Sequence, residues 1–213
     1  MRHGLRAEHF FTSEEKKRIH TTVSEVESRT IGEVATMVVE SSDHYFEAEM
    51  LGGILLGGIV SLMITAVFFQ SSVWSYIPLM FLFFFPSRLL FKRFHALKSV
   101  LISHHRKEHA VRLRAVRAFY EKGLYKTRHQ TGVLFLISLL ERKVRVLADS
   151  GIHEKIGQET LDKFARNISR GIRDGHACTA LCETIQEAGA LLAHHFPKTP
   201  DDTNELPDTV MSG

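Results

Sequence analysis

Hydrophobic and polar positions along the chain follow two short-period patterns, interrupted by one long apolar run. "TSEEKKRIHTTVSEVESRT" opens with Thr12 and, three residues on, Glu15, the signature of a helix capping box. Ile19, Val23 and Val26 then share one helical stripe, and Gly32 closes the segment. "EVATMVVE", residues 33–40, is valine-rich and apolar at successive positions, the pattern of a strand covered on both faces. After an acidic stretch, "ESSDHYFEAE", residues 51–87 contain no Asp, Glu, Lys, Arg or His.

Two membrane spans fit that stretch. Residues 51–69 and 73–91 are each 19 long, enough at about 1.5 Å per residue to cross most of a hydrocarbon core of about 30 Å. Trp74 and Tyr76 mark the turn between them, at the depth where amphipathic aromatics settle. Pro78 and Pro86 are tolerated in spanning helices, and Gly52, Gly53, Gly57 and Gly58 let a second helix come close. The alternative, a hairpin buried in a soluble core, leaves too little of a 213-residue chain to surround it.

Beyond the spans the short periods return. "TGVLFLISLLERKVRVLADSG" reads as strand, turn, strand: residues 132–139 are apolar, residues 140–143 turn, and Val144, Val146 and Ala148 alternate with Arg145 and Leu147. Upstream, Leu113, Val116 and Phe119/Tyr120 form the predicted core face of a helix ending at Gly123. Downstream, Leu161, Phe164, Ala165 and Ile168 make one stripe, and Cys178, Leu181, Cys182, Ile185, Ala188 and Leu192 another. A lone strand before the hairpin leaves its backbone groups unpaired, so it needs partners from beyond the hairpin. The expected fold is a single α/β sheet with helices packed on its faces, interrupted by an inserted two-helix transmembrane hairpin. Residues 1–49 and 92–199 form the two parts of that domain, 50–91 the hairpin, and 200–213 a polar flexible tail.

Charge changes the picture locally. The net charge of +3 conceals a run, residues 88–117, with nine Lys or Arg and one acid. Arg88, Lys92, Arg93, Lys98, Arg106 and Lys107 flank the second span while the turn has no Lys or Arg, so the positive-inside rule places that flank, and with it both termini, on the cytoplasmic side. The run suits contact with membrane lipids; it lacks interleaved stacking aromatics, so nucleic acid is not an expected partner. "MRHGLRAEHFFTSEEKK" has no apolar signal core ahead of its charges.

Candidate chemistry is sparse. Asp43 and Asp149 follow the first and third strands and together offer oxygen ligands for a divalent cation, Ca or Mg; the plainer reading is two solvated strand-end acids. His105 and His109 are spaced i, i+4, but "HRKEH" is not the HExxH pattern, and they join the basic juxtamembrane face. Cys178 and Cys182 lie one turn apart on an apolar stripe, as small core residues or as a redox- or soft-metal-responsive pair. There is no GxSxG, phosphate loop or CxxC, and Ser138 has no evident base beside it, so no catalytic residue is assigned.

The order of elements resembles the TPM-domain family. The matching pieces are "FTSEEKKRI", "TIGEVATMVVE" and "TGVLFLISLLERKVRVLADSGI". The lead-in "RAFYEKGLYKTRHQTGVL" and the closing "FPKTPDDTNELPD" are similar to the membrane-inserted bacterial members in particular. The resemblance implies a bacterial inner-membrane location and a role in binding or maintaining a partner membrane protein, as thylakoid relatives are linked to repair of a photosynthetic complex. It also implies, as an alternative, a divalent-metal-dependent phosphatase with an acidic pocket at the strand ends. Asp43 and Asp149 match that pocket; the further acids that relatives carry are replaced by "DSGIHEKIG", with Glu154 alone nearby.

Overall fold

A computed structural model describes residues 6–68, 73–127, 129–198 and 210–212. It resolves into two units, Met1–Ser42 with Glu108–Gly213, and Asp43–Lys107. In chain order the elements are α1 (Ser13–Glu27), β1 (Glu33–Val39), α2 (Phe46–Phe68), α3 (Val73–Arg93), α4 (His95–Leu101), α5 (His104–Glu121), β2 (Gly132–Ser138), β3 (Lys143–Ala148), α6 (Ser150–Ile156), α7 (Gln158–Arg173), α8 (Ala177–His195) and β4 (Met211–Ser212).

The first unit is built on a mixed sheet of order β3-β2-β1-β4. β1 and β2 run parallel in an unbroken register, from Glu33 opposite Gly132 to Val39 opposite Ser138. β3 returns antiparallel on β2, and β4 adds a two-residue parallel edge at Met37 and Val38. A parallel pair cannot be joined by a tight turn and needs a crossover connection. Here that connection contains both apolar helices and α5.

Period-two alternation sends β1 and β2 to two cores. Val34, Val38, Val133, Phe135 and Ile137 meet Ile19, Val23 and Val26 of α1, Leu161, Phe164 and Ile168 of α7, and Leu181 and Ile185 of α8. Ala35, Met37, Val39, Leu134 and Leu136 meet Val111, Ala115, Ala118 and Phe119 of α5. Both strands are buried along their whole length, as their continuous apolar runs predict. The capping box of α1 also forms: the Thr12 N–H donates to Glu15 Oε2 at 2.8 Å, and the Glu15 N–H to Thr12 Oγ1 at 3.2 Å.

α5 departs from expectation. Its predicted core stripe, Leu113, Val116 and Tyr120, faces outward, and Phe119 alone of that set is buried. The helix carries two apolar stripes, and the sheet takes the one formed by Val111, Ala115, Ala118 and Phe119. Periodicity alone cannot rank two stripes.

The second unit holds the hairpin. α2 and α3 pack antiparallel through the glycines: a Cβ on Gly52 would meet the Phe91 ring at 2.5 Å, and one on Gly57 the Phe83–Phe84 backbone at 3.1 Å. At 23 and 21 residues, and roughly 34 and 31 Å at about 1.5 Å per residue, both are long and apolar enough to cross a membrane. α2 starts five residues before the predicted span, so Glu47 and Glu49 sit in its first turn, where carboxylates suit the helix dipole. Residues 69–72, at the end of the first predicted span and in the turn after it, and residues 200–209 and 213 of the predicted tail lie outside the described residues, and Met211–Ser212 pair with β1.

Because the sheet-bearing unit takes both its cores from residues outside Asp43–Lys107, replacing that segment with a flexible Gly/Ser linker is expected to leave a soluble protein with one cooperative urea transition, since loop closure grows only as the logarithm of loop length. A molten, dye-binding product would show that the two chain segments are not one folding unit.

Candidate functional site

Asp43, just before α2, and the acids of its first turn find their partners after α3. Lys98 Nζ lies 2.7 Å from Glu49 Oε1, with both residues buried. Arg106 Nη2 lies 2.7 Å from Asp43 Oδ2 and 3.1 Å from Glu47 Oε1, and its guanidinium sits 5.5 Å over the Tyr45 ring. Lys107 Nζ donates to Ser99 Oγ at 2.9 Å, and Arg88 stacks 5.0 Å over Phe46. The six bases predicted to flank the second span are therefore not one uniform basic face. Lys98 and Arg106 close the base of the hairpin as ion pairs, while Lys92 and Arg93 at the end of α3 stand exposed. Partial burial would push the Asp43 carboxyl up, but the Arg106 hydrogen bond, the His44 backbone N–H and the Arg106 charge outweigh it and hold Asp43 below the ordinary carboxylate range.

Asp43 belongs to the Asp43–Lys107 unit and Asp149 to the sheet-bearing one. Asp149 follows β3 and caps α6, its Oδ1 accepting the Ser150 N–H at 2.7 Å. Its Oδ2 is buried, and no hydrogen-bond donor reaches it among the described residues. Among those residues no three His, Cys, Asp or Glu side chains converge as metal ligands, and His105 and His109 are exposed on α5.

Ser138, which showed no base in the sequence, has one in the fold. Its hydroxyl donates to Glu141 Oε2 in the β2–β3 turn. The other oxygen of Glu141 accepts the Ser42 N–H at 2.9 Å, and the Ser42 and Ser138 hydroxyls are 2.8 Å apart. Glu141 reads as an ordinary turn residue; the missed signal is an acid three positions after a serine in an apolar strand, with Leu139 and Leu140 between them. This cluster fastens the end of β2 to the point where the chain leaves β1 for the hairpin, and the Leu139 N–H bond to Val39 O at 3.0 Å reinforces it. Ser138 is 1% exposed, so its hydroxyl is a structural tie rather than a nucleophile open to substrate.

Cys178 and Cys182 are free and buried on α8. Burial first, then the neighbouring Cys182 and Glu15, push the Cys178 thiol up to about 11. A thiol of that kind is a poor nucleophile near neutral pH and behaves as a small core residue.

Residues 95–191, from α4 into α8, match the sequence model of the TPM domain, and this part of the chain carries a TPM domain. The fold is similar to the NMR structure of the BA42 protein from the psychrophilic bacterium Bizionia argentinensis, with a TM-score of 0.60 and 20% identity over 96% of each chain. At that identity the likeness concerns the fold alone. No curated protein matches the sequence.

Glu141→Ala is expected to cost about 2 kcal/mol or more of unfolding free energy in the sheet-bearing unit, because it takes the carboxylate away from the buried Ser138 hydroxyl and from the Ser42 N–H together. Chemical denaturation reads the loss directly, and an unchanged midpoint would mean that the tie is dispensable.

Proposed function

We propose that this protein is a membrane-anchored TPM module that binds or helps to maintain a partner membrane protein. The observation that carries this reading is the outer surface of the hairpin. Leu62, Met63 and Val67 of α2 and Phe81, Leu82, Phe85 and Leu89 of α3 all stand largely exposed, an apolar surface far larger than a soluble monomer keeps in water. A bilayer satisfies it, and both helices already close their own backbone hydrogen bonds. The exposed Lys92 and Arg93 favour the cytoplasmic side of a bacterial inner membrane for the end of α3. Two spans then return both termini to that side.

Crosslinking in native membranes, followed by identification of the captured species, tests this reading. One integral membrane protein is expected to be captured in preference to abundant neighbours, and its yield should fall when the hairpin is exchanged for an unrelated pair of spans. Capture of bulk membrane proteins in proportion to their abundance would sink the partner-specific role.

A divalent-metal-dependent phosphatase is the second reading, and the buried, undonated Oδ2 of Asp149 favours it. Arg106 weighs against it at Asp43, because a guanidinium already compensates that carboxylate and a metal would have to displace it. On this reading Ca or Mg raises the melting temperature of the full chain in detergent by several degrees, and Asp149→Ala removes the shift. With no shift and no hydrolysis of a simple phosphomonoester, the phosphatase reading is abandoned.

A further inference from the structure

The fold uses one apolar stripe of α5 and leaves the other in solvent. Val111, Ala115, Ala118 and Phe119 are buried against the sheet. On the opposite side Leu113, Val116 and Tyr120, spaced three and four apart, form a single line and are 55%, 37% and 60% exposed. Tyr125 of the Leu124–Lys126 turn extends the line, its ring 5.1 Å from that of Tyr120. Arg112 and Arg117, both exposed, border the stripe on its two sides, and Lys126 Nζ lies 5.7 Å over the Tyr125 ring. No acid occurs between His109 and Tyr120. The acids at the two ends of the helix are engaged elsewhere, Glu108 with Lys143 at 3.7 Å and Glu121 with Arg114 at 3.1 Å. The outward face is thus aliphatic and aromatic along its centre and cationic along its edges.

We propose that this face docks on an anionic lipid surface, with Leu113, Val116 and Tyr120 entering the headgroup–acyl boundary and Arg112 and Arg117 resting on lipid phosphates. Its composition is that of an interfacial amphipathic helix, in which apolar burial and electrostatic attraction to anionic headgroups act together. Charge complementarity favours this occupant over a second copy of the same face, which would set arginine against arginine. Continuity favours it as well: only residues 94–103 separate α5 from the end of α3, a connection short enough to tether the helix to the leaflet that α3 would enter. The proposal rests on the reading of α2 and α3 as membrane spans.

The test uses the full chain, purified in detergent and reconstituted into nanodiscs of phosphatidylcholine alone or mixed with phosphatidylglycerol. An environment-sensitive fluorophore is attached at Val116→Cys, and the unsubstituted chain, whose two cysteines are buried, serves as the labelling control. In phosphatidylglycerol discs the emission is expected to shift to the blue and to return as salt is raised. Arg112→Gln and Arg117→Gln should each lower the docked-to-undocked ratio roughly fivefold, the equivalent of about 1 kcal/mol per cation near an anionic surface. Leu113→Glu should abolish the shift while leaving the thermal melt unchanged, since the side chain touches no core. Identical emission in the two kinds of disc overturns the proposal. So does a shift that appears in detergent and grows with protein concentration, which identifies a second copy, or one that appears only on adding polyglutamate, which identifies an acidic polypeptide. Co-elution with the discs reports the hairpin separately. If the chain fails to enter discs, the anchoring reading falls, and sedimentation with preformed phosphatidylglycerol vesicles decides α5 instead: binding lost in Leu113→Glu supports the docking face, and absence of binding refutes it.

Discussion

Parallel pairing of β1 with β2 is the constraint that everything else in this molecule serves. Seven consecutive residues on each strand are matched in one register, although the chain makes its full apolar excursion between them. A slip of one residue would exchange the faces of every side chain. It would bring Val34 and Val38 toward α5 and force Ala35 and Met37 under α1 and α8, into volumes shaped for the opposite set. Burial on both faces therefore sets the register without help from the connection. The connection is free to be long because closure entropy rises only slowly with length, and the ties from Glu141 to Ser42 and Ser138 hold the strand ends where that freedom begins.

The acidic run before the apolar helices finds its explanation in the ion pairs at the hairpin base. Unpaired carboxylates and ammonium groups are costly to bury. Glu49 with Lys98 removes that cost as a buried pair, and the more exposed pair of Asp43 with Arg106 adds a second tie between the start of the hairpin and the segment after α3. A buried ion pair often adds little net stability over an apolar isostere, but removing one partner leaves a charge stranded. What these pairs supply is position. They specify which residue after α3 stands beside which residue at the start of the hairpin.

The parts of the fold legible in the sequence were those whose determinants are local. The Thr12–Glu15 box, the stripes of α1, α7 and α8, and the doubly buried strands all follow from spacings of two to four residues. The parts missed depend on something distant or on a choice between equals. Leu113, Val116 and Tyr120 form as regular a stripe as the one that became core, and spacing along the chain does not rank the two. Arg106 is 63 positions from Asp43, and no local pattern announces that pair. Ser138 and Glu141 are near in sequence, yet their bond depends on the turn that brings them together.

The place of the hairpin follows from the topology. Two parallel neighbours require a crossover whether or not a membrane is involved, and α5, lying across the sheet face between β1 and β2, is an ordinary helix for that purpose. The apolar helices enter between β1 and α5, where the chain has already left the sheet and has no ladder to break. An insertion within α1, α7 or α8 would have split a core stripe, and one in the β2–β3 turn would have displaced Glu141. An apolar excursion of this length is tolerated at the connection that the parallel pair had already made long, and α5, which follows it, meets the sheet with Val111, Ala115, Ala118 and Phe119 and leaves Leu113, Val116 and Tyr120 facing out.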